Sequence, residues 1–91
     1  MQRIQAKVYG RVQGVGFRAF VLNRAQVLSL TGTVRNVYFP SRHVDVVAEG
    51  PQHELQSLIT LLHQGPSMSR VDKVDVTWLN PTGSLPSFRM A

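Results

Sequence analysis

Arg3 to Tyr9 alternates, with Ile4, Ala6 and Val8 on one side and Arg3, Gln5 and Lys7 on the other. A period of two predicts a half-buried strand. Three glycines in the seven residues from Gly10 to Gly16 end the alternation,. From Phe17 the period lengthens. Phe17, Val21, Ala25 and Leu28 recur at i, i+4, i+8 and i+11 with Phe20 beside them, which predicts a helix ending near Ser29,. Thr31 to Tyr38 is β-branched and aromatic, a second strand, and Phe39-Pro40-Ser41-Arg42 is the turn after it because Pro removes a ladder donor,. Val44 to Ala48 alternates again and stops at Glu49-Gly50-Pro51. Leu55, Leu58, Ile59 and Leu62 form the cleanest helical stripe, which Gly65-Pro66 ends,. Val71 to Leu79 alternates through Val74, Val76 and Trp78, and after a turn at Asn80 to Gly83, Phe88-Arg89-Met90 adds a short edge strand.

The order β-α-β-β-α-β predicts an α+β fold, a ferredoxin-like sandwich with two helices on one face of a four-stranded antiparallel sheet. No linker or repeat divides the 91 residues, so a single domain spanning 1–91 is expected,. With 43% apolar and 16% charged residues the composition is globular,. The absence of Cys excludes disulfide scaffolds, thiolate metal sites and Cys nucleophiles,. Apolar runs of three or four residues are too short to span a membrane, and Met1 to Lys7 lacks the apolar core of a signal peptide,. The cytoplasm is the expected location. A formal net charge of +5 favours anionic partners, but the Lys and Arg residues are scattered and form no polybasic block,.

The most informative segment is Gly10-Arg11-Val12-Gln13-Gly14-Val15-Gly16-Phe17-Arg18. Glycines admit positive φ and a close ligand, successive N–H groups in such a turn can converge on an anion, and the helix behind adds unsatisfied donors. Arg18 falls in the first helical turn, where the helix dipole disfavours a cation unless a bound anion compensates. An ordinary glycine-rich turn with a surface Arg reads equally well at this point. Gly14-x-Gly16-x-x-Ala19 spells a dinucleotide fingerprint but lacks the acid about twenty positions on and a parallel unit,. A phosphate-binding P-loop fails because Phe17-Arg18, not Lys-Ser/Thr, follows Gly16,. Gly16 to Val21 superficially matches an aromatic RNA-recognition signature, yet Phe17, Phe20 and Val21 share one helical face and belong to a core,.

On the second strand, Asn36 offers an uncharged donor and acceptor able to position a water, or serves simply as a strand-end residue. His43, His53 and His63 lie in a turn, a helix entrance and a helix end, without ligand spacing,. Asp45 and Asp75 alternate outwards, and the five acids read as solvated faces, not as a carboxylate dyad or Mg²⁺ site. An enzyme built this way is expected to need no metal, no cofactor and no covalent nucleophile.

Two segments together, the nine residues from Gly10 to Arg18 and Gly32-x-Val34-Arg35-Asn36, resemble the acylphosphatase family. The resemblance continues through Val44 to Gly50, Gly65-Pro66 and Arg70 to Val74, essentially the whole chain. It implies hydrolysis of acyl phosphates to carboxylate and inorganic phosphate, with a small-molecule acyl phosphate as substrate and phosphate or sulfate as the natural site anion. It implies that Arg18 and the backbone N–H groups of Gln13, Gly14, Val15, Gly16 and Phe17 bind the phosphoryl oxygens and that Asn36 orients the attacking water. A monomer without nucleic-acid or membrane partners is expected.

Three departures stand out. Thr33 replaces a usual aromatic, Ser29 replaces a usual Gly, and the turn from Val37 to His43 is about two residues longer than the family's Asp-Gly turn. The apolar tip of Tyr38 and Phe39 serves substrate access or association. The same fold opens the hydrogenase-maturation carbamoyltransferases, so a phosphate-ester-binding domain of a larger assembly is the alternative, with a basic RNA-binding module a further one. The Cys-rich zinc segments that follow in those larger enzymes are not in this sequence.

Overall fold

A computed structural model describes residues 1–91. The elements are β1 (Gln2–Arg11), α1 (Phe17–Val27), β2 (Thr31–Val37), β3 (His43–Gly50), α2 (Gln52–Gln64), β4 (Arg70–Leu79) and β5 (Arg89–Met90). They build one five-stranded sheet in the order β4-β1-β3-β2-β5. The first four strands pair antiparallel, as the sequence predicts. β5 makes the sheet mixed, because it lies parallel to β2 with Val34 opposite Met90. The cause is the path of the chain. β4 ends at one edge and β5 forms the other, so residues 80–88 must cross the sheet before pairing.

Period-two alternation gives the sheet one apolar face: Ile4, Ala6 and Val8 on β1, Val34 on β2, and Val44, Val46 and Ala48 on β3 are all buried,. Both helices cover it. Phe17, Val21 and Ala25 of α1 and Leu55, Leu58 and Leu62 of α2 complete the core, and Phe88 closes its edge. Truncating a buried aromatic such as Phe17 costs about 3–5 kcal/mol, so this residue anchors the helix entrance.

The opposite face departs from expectation in two acids. Asp45 points away from the helices, as the alternation requires, but it is buried and not solvated. Gln5 Nε2 donates to it at 3.1 Å and Arg35 Nε at 3.4 Å. Glu49 is buried under the crossing segment and accepts from Arg3 Nη1 at 2.9 Å and from the Thr82 and Gly83 N–H groups at 2.8 and 3.0 Å. His43, expected in the turn, instead begins β3. It is buried there, its Nδ1 2.9 Å from the Ser41 carbonyl and its ring 5.0 Å from Tyr9.

Candidate active site

β1 leaves the sheet at Arg11, and Val12, buried in the core, fixes the start of the loop that follows. Gly14 and Gly16 have φ of 72° and 77°. An L-residue in that left-handed region costs roughly 1–2 kcal/mol, so the turn requires glycine for its conformation. A Cβ at either position would meet nothing within 4 Å, so it is the backbone conformation and not lack of space that favours glycine here. Gly16 is the N-cap of α1 and offers no side chain, and no acid lies in the first turn. The N–H groups of Phe17, Arg18 and Ala19 therefore have no intrahelical acceptor and sit at the positive end of the helix dipole.

These donors border a cavity of about 150 Å³ lined by Val12, Gly14, Gly16, Phe17, Arg18, Ala19, Asn36 and Met90. Arg18 is the only charged side chain in it. All five acids of the chain are engaged elsewhere: Glu49 with Arg3, Asp45 with Arg35, Glu54 with His53, Asp72 with Arg70 and Asp75 with Lys73. No carboxylate competes for the Arg18 guanidinium. Asn36 also lines the cavity, and its Oδ1 is buried and finds no hydrogen-bond donor within the protein. Leaving a buried acceptor unpaired costs about 1–3 kcal/mol. A larger concavity of about 480 Å³ lies over β1 and β4, but its Asp75 is already paired with Lys73 and no unpaired buried group faces it.

The site thus combines a cation with free forked donors, a row of backbone N–H groups and the side-chain amide of Asn36. No Ser, Thr, Cys, His, Asp, Glu or Tyr side chain lines it, so it offers neither a covalent nucleophile nor a protein acid or base. No three of the chain's His, Asp and Glu residues are grouped to hold a metal. Such a site can hold an anion and stabilise charge on it by orientation and electrostatics.

Of the residues singled out in the sequence, Gly14, Gly16, Phe17, Arg18 and Asn36 meet at this cavity. Val15 belongs to the loop without lining the cavity, and Gln13 turns its side chain to the β2–β3 hairpin. Phe17 contributes its backbone, since its ring is in the core. Sequence reasoning missed Val12, Ala19 and Met90 as walls. Met90 arrives on a strand of two residues, too short to carry a period, and its placement depends on pairing with β2.

The family model described as Acylphosphatase matches residues 4–90. The acylphosphatase of Salinibacter ruber is 46% identical over 89 residues, covering 98% of this chain and 92% of that one. The crystal structure of acylphosphatase from Bacillus subtilis superposes with a TM-score of 0.92 at 36% identity, over 100% of this chain and 99% of the other. T. kodakarensis HypF matches with a TM-score of 0.82 at 30% identity, over 99% of this chain but 12% of HypF. With the family model, a close full-length relative and the superposed fold in agreement, the chain belongs to the acylphosphatase family.

Proposed function

We propose that this acylphosphate-hydrolysing chain works through Arg18, the Gln13–Arg18 backbone and Asn36, without a metal or cofactor. The observation that carries the reading is the meeting, at one cavity, of an Arg without a carboxylate partner and the side chain of Asn36. The planar guanidinium takes two phosphoryl oxygens at once, and the loop N–H groups take the remaining charge. The Asn36 side-chain amide orients a water so that a lone pair of the water oxygen faces phosphorus. The new O–P bond forms as the P–O bond to the acyl group breaks, and the electron pair departs with the carboxylate. With no titratable base in the cavity, the water proton passes to a phosphoryl oxygen of the substrate. A carboxylate leaves well unassisted, which fits the absence of a protein acid. Phosphoryl transfer of this kind depends on positioning and charge stabilisation, the two things the site provides.

The same donors suit inorganic phosphate or sulfate as a competing anion. We read the chain as a cytoplasmic, single-domain monomer acting on small molecules, with neither nucleic acid nor membrane as a partner. Phe17 is buried in the core and not displayed for base stacking, and no helix is long and apolar enough to cross a membrane,.

Steady-state hydrolysis of benzoyl phosphate in EDTA, with the wild type beside Arg18→Ala, tests the reading. Fast wild-type turnover that falls on the order of 10²–10³-fold or more in the variant is expected. Near-normal turnover by Arg18→Ala would remove Arg18 from the mechanism, and loss of wild-type activity in EDTA would overturn metal independence.

A further inference from the structure

The loop that carries the phosphate-facing donors and the strand that carries Asn36 are separate elements, and one side chain joins them. Gln13 Nε2 donates to the Val37 carbonyl at 3.0 Å and to the His43 carbonyl at 3.1 Å. Val37 and His43 are the last facing pair of β2 and β3, so the amide closes the hairpin where the strands part. Val37 follows Asn36 directly in the chain, and Gly14 follows Gln13. The bridge therefore spans from the first residue of the anion loop to the residue after the one proposed to orient water. It also closes the base of the long turn from Tyr38 to Arg42, whose Tyr38 and Phe39 are exposed.

We propose that Gln13 is a positioning residue, whose side-chain amide fixes the phosphate loop at the distance from Asn36 that in-line attack requires. The inference rests on the roles proposed above for Asn36 and the loop. Phosphorus is held by one element and water by the other, and a misplacement of about 1 Å between reacting groups can cost on the order of 10²-fold in rate. The side-chain chemistry is specific. Two carbonyls need two hydrogens from one nitrogen, which an amide supplies. Glu would set acceptors against acceptors, Met has the length but no donor, and Asn is shorter by one methylene.

A double-mutant cycle over Gln13→Met and Asn36→Ala, read with benzoyl phosphate and with inhibition by inorganic phosphate, tests this. Asn36→Ala alone is read first. If it retains wild-type kcat, the Asn36 role fails and the proposal fails with it. If Asn36→Ala loses activity, Gln13→Met is expected to lower kcat about tenfold or more while the phosphate inhibition constant stays within about twofold. In the Asn36→Ala background the same substitution is expected to change kcat by less than about twofold, because the water it helps to place is no longer held. An unchanged kcat in Gln13→Met, an equal effect in both backgrounds, or a parallel loss of phosphate affinity overturns the proposal and leaves the Asn36 role standing. Gln13→Asn, which keeps the amide but withdraws it, carries the same cycle if Gln13→Met does not fold, with a loss of kcat again confined to the Asn36 background.

Discussion

Arg18 and Asn36 each carry a cost to the fold. Arg18 stands at the positive end of α1, where a cation is disfavoured, and Asn36 Oδ1 is buried without a donor,. Replacing Asn36 by Ala removes the orphan acceptor together with the water it would hold. The expected result is a kcat lower by on the order of 10²-fold, a phosphate inhibition constant within about twofold of wild type, and a Tm no lower than wild type. Activity loss accompanied by a large fall in Tm would mean that Asn36 is structural. Arg18 and Asn36 are legible in the sequence because each belongs to a short motif. The side-chain role of Gln13 is not, since its acceptors lie 24 and 30 residues away and nothing local marks the pairing. Burial of Asp45 escapes for the same reason: alternation gives the direction of the side chain, but Gln5, 40 residues distant, gives its cover.

At the scale of an element, α1 shows how the two ends of a helix serve different purposes. Its N-terminus is left uncapped at Gly16, while its C-terminus is closed by the Ser29 N–H to the Gln26 carbonyl at 3.0 Å and the Leu30 N–H to the Ala25 carbonyl at 3.0 Å. This is a Schellman arrangement, with Leu30 buried as its apolar plug,. It requires a left-handed residue at Ser29, whose φ is 58°, where glycine is the residue the family usually carries. Ser29→Gly should therefore stabilise the fold by about 0.5–1 kcal/mol, the left-handed strain removed less the extra entropy of glycine. That corresponds to a Tm rise of a few °C, on the order of 2–8 °C, with turnover unchanged because Ser29 lies at the far end of α1 from Arg18. A thermal melt in which the variant unfolds below wild type would show that the Ser side chain has a role of its own. The helix and its end near Ser29 are readable from periodicity, but the left-handed φ is not, because Ser does not signal it. The parallel β5 is likewise hidden, since two residues carry no period and only the crossing segment decides their direction.

Across the whole molecule, the crossing segment from β4 to β5 joins opposite edges of the sheet, and Glu49 holds it near its middle. Its carboxylate accepts from the Thr82 N–H at 2.8 Å, the Gly83 N–H at 3.0 Å, Thr82 Oγ1 at 3.1 Å and Arg3 Nη1 at 2.9 Å. The Thr82 N–H lowers its pKa most, burial opposes, and the Gly83, Arg3 and Thr82 hydroxyl bonds add to the lowering, leaving it at about 2 against an ordinary 4.5,. Since the folded value lies below the unfolded one, the unfolded chain binds more protons between them. The stabilisation is present in full above about 4.5 and is lost as pH falls from there towards about 2,. Glu49→Gln keeps the shape but not the charge, and its amide turns a donor towards groups that already donate. Urea midpoints for wild type and Glu49→Gln at pH 7 and pH 3 separate the contributions. The variant is expected to unfold earlier at pH 7, with the gap to wild type narrowing at pH 3 as the native carboxylate's advantage declines. An equal gap at both pH values would mean that the acceptor lost to the amide donor, and not the titrating charge, is what releases the segment that carries Met90 to the cavity.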